Sequence, residues 1–148
     1  MIPRYGSPRE AGRRYTRRAG AYGVLLRDGK VLVTHQASPV PEFQLPGGGI
    51  DPGETALRAL HRETFEETGW RIGQAHRLGA FRRFTYMPEY DLWAEKLCHV
   101  FLARPIRRAG PPSEPGHEAH WLDPREAATL LGNPGDAAFL RGVLSWLL

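Results

Sequence analysis

The sequence has only one cysteine, Cys98, in a chain of 148 residues. A disulfide-stapled scaffold is therefore excluded, and the lone thiol favours a reducing compartment. No apolar run approaches the roughly 18 residues that a membrane-spanning helix needs, so no membrane partner is expected. Glycine (17 residues) and proline (13 residues) follow no repeat, which excludes a collagen-like chain. A chain of this length fits one globular domain that needs neither a disulfide nor a metal in order to fold.

Positive charge is concentrated at the start of the chain. The formal net charge is +4, and six arginines against one glutamate give residues 1–18 a charge of +5, which leaves the remainder slightly acidic. We therefore divide the chain into an Arg-rich arm over residues 1–17 and a single domain over residues 18–148. The arm could contact nucleic acid or another phosphate compound, although a solvated, partly disordered terminus is the commoner meaning of such a block. Charged residues interrupt the apolar segment that follows, so no secretory signal is predicted and we expect a cytoplasmic protein.

Apolar runs separated by turn signals predict both strands and helices. Two runs around Asp28-Gly29 indicate a β-hairpin. Residues 56–68 predict a helix that Thr55 caps and Gly69 ends, because glycine adopts the left-handed conformation at little cost. The other predicted elements are two helices and two strands, over residues 123–131, 136–147, 71–84 and 94–103. This mixture predicts an α/β fold with a mixed sheet.

The first predicted helix carries three glutamates close together on one face. At about 100° per residue, Glu63, Glu66 and Glu67 are neighbours, while Leu57 and Leu60 lie on the side that can pack on a sheet. Like charges at these spacings repel, and carboxylates in the last turn oppose the helix dipole. A solvated charged face is the simplest alternative, but a bound divalent cation would reverse both penalties. The pattern therefore points to a metal site.

A run of three glycines comes before this helix and predicts a turn-rich loop over residues 47–54, where the backbone can approach a ligand. From Gly48 to Trp70 the segment resembles the Nudix box, G-x5-E-x7-R-E-U-x-E-E-x-G-U, in which U is a bulky residue, usually aliphatic. The fixed positions match, and the departures are Thr64 and Trp70 at the two U positions. A weaker resemblance to this family extends over about residues 18–140.

The resemblance implies a Nudix-type α/β/α sandwich and a pyrophosphohydrolase that depends on a divalent metal. Family members use Mg²⁺ or Mn²⁺ to split a pyrophosphate bond in a nucleoside diphosphate linked to another group, through attack of water at phosphorus. Arg62 is implied to position a glutamate, and Glu54 to belong to the outer part of the acidic cluster. The implied metal ligands are the carbonyl of Gly47 and the side chains of Glu63, Glu66 and Glu67.

The resemblance leaves open which group takes a proton from the attacking water. Glu67 or Glu63 could serve as this catalytic base, and so could a glutamate of a later loop. Among the loop residues we favour Glu118, because it stands three residues before Trp121, as a downstream glutamate often does in relatives. Glu114 is the second choice.

Substrate contacts are expected from residues 81–95, which hold five aromatic residues and two adjacent arginines. Arg82 and Arg83 could meet substrate phosphates, and Tyr86 could stack on a base, with core packing as the alternative for the aromatic rings. The expected substrates are small nucleoside diphosphate derivatives, such as ADP-ribose or dinucleoside polyphosphates. A homodimer is left open, and nucleic acid is not the favoured partner.

A second class of function competes with hydrolysis. The chain could be a non-catalytic Nudix-fold ligand sensor, or a nucleic-acid-binding module that uses the Arg-rich arm. The complete glutamate set argues against both, since neither needs it. His117 and His120 show no paired ligand spacing, so we expect them at the surface, and we expect Cys98 in the core.

Overall fold

Strand β1 (Thr16–Arg27) runs through the middle of a mixed sheet in the computed structural model of the protein, which describes residues 1–147. Leu148, the last residue of the predicted domain, lies outside these described residues. The elements that follow are β2 (Lys30–Gln36), β3 (Glu42–Gln44), β4 (Gly47–Gly49), α1 (Ala56–Thr68), β5 (Trp70–Met87), a 3₁₀ turn (Pro88–Tyr90), β6 (Leu92–Arg108), β7 (His117–Leu122), α2 (Pro124–Leu130) and α3 (Pro134–Trp146). Within residues 1–147, no helix is both long enough and apolar enough to cross a membrane.

The sheet joins one parallel strand pair to several antiparallel pairs, so the prediction of a mixed sheet is confirmed. β1 pairs in parallel with β6, and it pairs antiparallel with β4 and β2 at successive parts of its length. The strand order is β3-β2-β1-β6-β5, and β7 pairs with β2. The long β5–β6 hairpin forms one edge, and the short strands lie near the other side of β1.

Helices cover both faces of this sheet, as the α/β/α sandwich requires. Alternate residues of a strand point to opposite faces, so neighbouring residues of β1 and β2 enter different cores. The core under α1 includes Leu25, Leu32, Leu60 and Phe101. The core under α2 and α3 includes Val24, Val33, Phe81 and Leu140. Cys98 belongs to the second core, where the sequence places it.

The turn between β1 and β2 and both ends of α1 lie where the sequence predicts them. Asp28 and Gly29 both have positive φ, 52° and 77°, in the tight turn between β1 and β2. The backbone N–H of Arg58 donates to the Thr55 side chain at 3.1 Å, so Thr55 is the N-cap of α1. Gly69 ends α1 with φ 77°, in the left-handed conformation that favours glycine.

Two expectations about this part of the chain are wrong. Gly47 to Gly49 do not form a loop; they form strand β4, which pairs with Gly20 to Tyr22 of β1. The strands approach so closely that a Cβ at Gly47 would overlap the carbonyl of Ala21, which explains why glycine is needed there. Leu57 does not pack on the sheet and is 41% exposed, because the buried face of α1 passes through Leu60 and, in the first turn, through Ala56 instead of Leu57.

The N-terminal arm packs on the domain instead of extending into solvent. The backbone N–H of Tyr5 donates to the carbonyl of Arg82 at 3.0 Å, which attaches the arm to edge strand β5. The Tyr5 ring meets the Phe81 ring edge-on at 5.7 Å, and the Arg13 guanidinium lies 3.6 Å from the centre of the Trp93 ring. The composition predicts a partly disordered arm, because it shows the block of arginines. It does not show the aromatic rings that these arginines contact in the folded protein.

Candidate active site

A polar cavity opens where β4 meets the second half of α1. Its walls and floor come from the seven strands and from α1 and α3, and they include residues Tyr22, Gly47, Gly48, Gly49, Glu63, Glu67, Arg83, Lys96, His117 and Asp136. One adjoining cavity extends past Tyr86 and Glu114. A second extends past Arg18 and Asp51, on the other side of Glu63. The glycine strand and the glutamate helix therefore meet at the centre of a branched cavity.

Arg62 joins the carboxylates around this cavity. Its Nε and Nη2 donate to the two oxygens of Glu54 at 2.8 and 2.9 Å, and its Nη1 donates to Glu63 at 2.9 Å. A longer contact of 3.5 Å reaches Glu66, and Nη2 also donates to the carbonyl of Gly49 at 3.0 Å. The hydrogen bonds from Arg62 lower the pKa of Glu54 to about 2, and those to Glu54 chiefly raise the pKa of Arg62. One planar guanidinium thus sets the positions of several acidic side chains.

Glu67 is a buried carboxyl group with few hydrogen-bond partners. It is 6% exposed, and its Oε1 accepts a 2.9 Å hydrogen bond from the backbone N–H of Gly47. Its Oε2 lies 3.6 Å from Nδ1 of His117, which is too long for a hydrogen bond. Burial raises the pKa of Glu67 well above its usual range, and the nearby Glu63 and Glu114 raise it further. Among the described residues, the Glu67 carboxyl therefore has one hydrogen-bond donor, the N–H of Gly47, while the guanidinium of Arg62 is directed to its acidic neighbours.

Glu63 lies directly against the glycine strand. A Cβ built on Gly48 would stand 2.5 Å from the carboxyl carbon of Glu63, so glycine leaves room for this carboxylate in the position that it occupies. Burial raises the pKa of Glu63 in spite of its ion pair with Arg62. The two glycines before α1 therefore have separate tasks: Gly47 binds Glu67 through its N–H, and Gly48 makes space for Glu63.

The donor set fits a hard divalent cation, although it does not form a closed cage. Within residues 1–147, no group of three or more His, Cys, Asp and Glu side chains converges closely enough to hold an ion. Arg62 draws Glu63 and Glu66 towards itself, whereas Glu67 points to Gly47. Carboxylate oxygens are the ligands that Mg²⁺ and Mn²⁺ prefer. A cation between these carboxylates would offset the mutual repulsion that raises the pKa of Glu67.

The two loop glutamates that the sequence offers as bases lie in different places. Glu118 is 77% exposed, and its carboxylate lies 3.6 Å from Nε2 of His120. It follows His117 along β7, so it points to the opposite face of that strand. Glu114 lies beside α1 instead, because its backbone N–H donates to the carbonyl of Glu66 at 2.9 Å. Glu114 lines the adjoining cavity together with His117, so Glu114 and not Glu118 lies near the carboxylate cluster. Burial chiefly raises the pKa of Glu63 and Glu67, and the charge of Glu114 adds to this effect.

The predicted substrate contacts also divide between the two faces of the sheet. Arg83 lines the central cavity and the adjoining cavity that contains Tyr86. Arg82 points to the other face, where it lies 3.8 Å from Glu95. Adjacent residues of a strand point to opposite faces. Arg83 therefore lies at the cavity as predicted, and Arg82 does not. The Tyr86 hydroxyl donates to the carboxylate of Asp91 and its ring packs near Trp93.

Four cavity residues were not predicted as site residues from the sequence. His117 was expected at the surface, but its side chain is only 14% exposed and faces Glu67. Its pKa is lowered by burial. Tyr22, Lys96 and Asp136 were not singled out at all. Lys96 did have a signal, because it continues the alternation of Cys98 and Val100 and so puts a charge on the core-facing side of β6.

Asp136 is a fully buried carboxyl at the start of α3. Its Oδ2 accepts a hydrogen bond from the backbone N–H of Leu45 at 3.2 Å. Burial raises the pKa of Asp136 to about 6, while the charges of Arg83 and Lys96 act in the opposite direction. This carboxyl therefore lies behind the basic part of the cavity floor and supplies part of its counter-charge.

Comparison with known proteins yields one family. The sequence profile of the NUDIX domain matches residues 14–143. A Bacillus subtilis (strain 168) protein named as an 8-oxo-dGTP diphosphatase is 34% identical over 74 residues, which are 50% of this chain and 50% of that protein. An RNA pyrophosphohydrolase of Legionella pneumophila (strain Corby) is 38% identical over 76 residues, which are 51% of this chain and 42% of that protein. The alignments thus span about half the length of these curated relatives.

A solved structure supports the same fold. The crystal structure of a MutT NUDIX hydrolase from Burkholderia pseudomallei aligns with a TM-score of 0.64 and 25% identity, over 74% of this chain and 85% of that chain. The α/β/α arrangement of this chain therefore occurs in a fold that is known from experiment.

Proposed function

Because the chain belongs to the NUDIX family, whose profile covers residues 14–143, we propose that it hydrolyses a pyrophosphate bond in a nucleotide derivative with the help of Mg²⁺ or Mn²⁺. The observation that carries this proposal is the buried carboxyl of Glu67, held by the N–H of Gly47 within a group of like-charged side chains. A protein that needed these glutamates only for solubility would leave them in water, where their repulsion is weak.

Glu63, Glu66 and Glu67, with the carbonyl of Gly47, are the groups that would hold the cation. When bound, a divalent cation supplies neutralisation of the diphosphate charge and Lewis acidity towards the attacking water. Arg62 acts as a positioning residue, because its Nε and Nη2 hold Glu54 on one side while its Nη1 holds Glu63 and reaches Glu66 on the other.

Proton transfer from the attacking water falls to a carboxylate that faces the central cavity. Glu67 and Glu63 meet this requirement, and Glu114 lines the cavity that adjoins them. Burial raises the pKa of Glu67 and of Glu63, which makes each a better proton acceptor near neutral pH than a carboxylate in water. Glu118 is left out of the proposal, since its side chain is exposed on the far face of β7. Arg83 and Tyr86 line the cavity that adjoins the cluster, and we assign them to substrate contact.

A panel of nucleotide derivatives tests the proposal. The purified chain should release a nucleoside monophosphate from at least one nucleoside di- or triphosphate derivative in Mg²⁺ or Mn²⁺, and a chelator should abolish this release. Glu67→Gln should lower turnover at least ~100-fold, the low end for a positioned acid–base or ligand group. Glu126→Gln, which changes an exposed glutamate of α2, serves as the matched control. Hydrolysis that survives chelation, or an unaffected Glu67→Gln variant, would refute the proposal.

A further inference from the structure

Three basic residues form one row across neighbouring strands of the cavity floor. Arg18 of β1 is the register partner of Lys96 of β6, and Lys96 is in turn the register partner of Arg83 of β5. All three line the branched cavity. Neighbouring strands are about 4.8 Å apart, so this basic row spans roughly 10 Å. Like charges directly opposite each other on one sheet face are destabilising, so the row needs an explanation beyond folding.

On the opposite face of the same strands, positive charges are paired with a negative one. There, Arg17 lies 3.4 Å from Glu95, and Glu95 lies 3.8 Å from Arg82. Charges on that face therefore alternate in sign from strand to strand. The basic row has no such alternation, since Lys96 occupies the central position that a glutamate takes on the other side.

The protein itself offsets the charge of the row only in part. Among residues 1–147, no member of the row forms an ion pair with a carboxylate. Arg18 lies over the Tyr90 ring at 4.4 Å, and Lys96 lies 5.7 Å from the centre of the Tyr22 ring. The pKa of Lys96 is raised, chiefly by Tyr22, so its ammonium keeps its charge at neutral pH. Buried Asp136 adds one negative charge behind three positive ones.

Lys96 lies where the branches of the cavity meet. It lines the central cavity with Glu63 and Glu67, the branch that contains Tyr86, and the branch that contains Arg18. An anion that reached from the carboxylate cluster into either branch would therefore pass over the basic row. The cluster would hold its cation at one end of that path, and the row supplies fixed positive charge along the rest.

We propose that the basic row Arg18–Lys96–Arg83 binds a phosphate chain that continues beyond the scissile phosphorus. The substrate class that follows is a 5′-linked chain of three or more phosphates, either on a free nucleotide or at the end of an oligonucleotide. A sugar linked through a diphosphate would leave most of the row without a partner, because such a group carries hydroxyls where the row presents cations. This inference rests on the proposed hydrolysis and specifies how many phosphates the substrate carries.

Binding of inorganic phosphates tests the row separately from catalysis. With Mg²⁺ present, calorimetry should show that the wild-type chain binds tripolyphosphate at least ~10-fold more tightly than pyrophosphate, the size expected of one charge-assisted contact. Arg83→Gln and Arg18→Gln should each remove most of this preference. Arg77→Gln is the control. Arg77 lies on the same strand as Arg83 but contacts His99 at an exposed position, so this variant should keep the preference for tripolyphosphate. Two variants at opposite ends of the row protect the test against misfolding of one of them.

Kinetics on two sources of the same phosphate chain complete the test. A nucleoside triphosphate and a short 5′-triphosphorylated oligonucleotide are compared with ADP-ribose. Loss of either terminal arginine should raise KM for the triphosphate substrate at least ~10-fold with little change in kcat, and Lys96→Arg should retain more affinity than Lys96→Met. Hydrolysis of either triphosphate source with this KM effect supports the inference.

The two proposals fail in different ways. If tripolyphosphate and pyrophosphate bind equally, or if ADP-ribose is the preferred substrate and the row variants leave its KM unchanged, the basic row is not a phosphate site and the hydrolase proposal stands. If tripolyphosphate binds through the row but no nucleotide is hydrolysed in Mg²⁺ or Mn²⁺, the hydrolase proposal fails and the anion site stands.

Discussion

The backbone N–H of Gly47 donates a 2.9 Å hydrogen bond to the buried carboxyl of Glu67. This bond joins strand β4 to helix α1 and fixes the position of the most buried glutamate of the cluster. Because Glu67 lies against a backbone donor and Glu63 lies against Gly48, the shape of the site depends on the path of the glycine strand. A small side chain at Gly48 would meet the Glu63 carboxylate and not the backbone, so it should alter the site without loss of the fold.

Gly48→Ala should lower turnover at least ~10-fold, because misplaced groups cost catalysis steeply. The new methyl group would stand 2.5 Å from the carboxyl carbon of Glu63 and would displace that carboxylate. Steady-state kinetics measure the loss, and a melting curve shows whether the fold is kept. At Gly49 a Cβ would meet nothing within 4 Å, so Gly49→Ala should lose much less. Equal losses in the two variants would contradict this account of Gly48.

Arg62→Lys should also impair the site, although it keeps the charge. A lysine is a point donor and cannot bridge the oxygens of Glu54 and Glu63 together as the planar guanidinium does. We expect turnover to fall at least ~10-fold and the apparent affinity for Mn²⁺ to fall with it. A metal titration of activity separates these effects. Wild-type behaviour of Arg62→Lys would mean that charge alone matters at this position.

Glu114 and Glu118 should respond differently to the same change. Glu114→Gln removes a charge that acts on Glu63 and Glu67 and should lower turnover at least ~10-fold. Glu118→Gln removes an exposed carboxylate that lies beside His120 and away from the cluster, and its effect should be small. Parallel rate measurements at one saturating Mg²⁺ concentration decide the matter. A larger loss in Glu118→Gln would restore the order of preference that sequence spacing gives.

Asp136 should make the stability of the fold depend on pH. Its pKa is raised by burial from 3.8 to about 6, so the folded state binds a proton more tightly than the unfolded state. The stabilisation is therefore fully present below about pH 4 and is lost as pH rises through about 6. Each pKa unit corresponds to about 1.4 kcal/mol, so the loss is on the order of 3 kcal/mol.

Asp136→Asn isolates this contribution, because the amide oxygen can still accept the hydrogen bond from Leu45. As pH rises from 4 to 7, the wild type should lose unfolding free energy relative to the variant, because only the wild type has a carboxyl group at this position to titrate. Urea unfolding at several pH values measures it. A difference that stays constant over this range would show that Asp136 does not titrate as described.

Short-range signals were enough to predict helix α1, its two ends and the turn between β1 and β2. The capping oxygen of Thr55, the positive φ of Gly69 and the turn at Asp28-Gly29 depend on residues close in the chain, and each is found as expected. The spacing of the three glutamates on α1 is likewise local. The structure keeps them on one side of the helix, with Arg62 among them.

Long-range register explains what the sequence could not predict. Arg18, Lys96 and Arg83 are far apart in the chain and become neighbours only through the pairing of β1 with β6 and of β6 with β5. β5 also contains register irregularities before residue 80, so counting alternate residues along it does not reveal which arginine faces the cavity. The burial of His117 depends in the same way on the pairing of β7 with β2.

The most direct test of the central claim is a crystal structure of the protein grown with Mn²⁺, with anomalous diffraction recorded to locate the ion. We predict an anomalous peak within coordination distance of carboxylate oxygens from Glu63, Glu66 and Glu67. Manganese bound elsewhere in the crystal, with these three side chains still arranged around Arg62 alone, would contradict the assignment of the cluster as a metal centre.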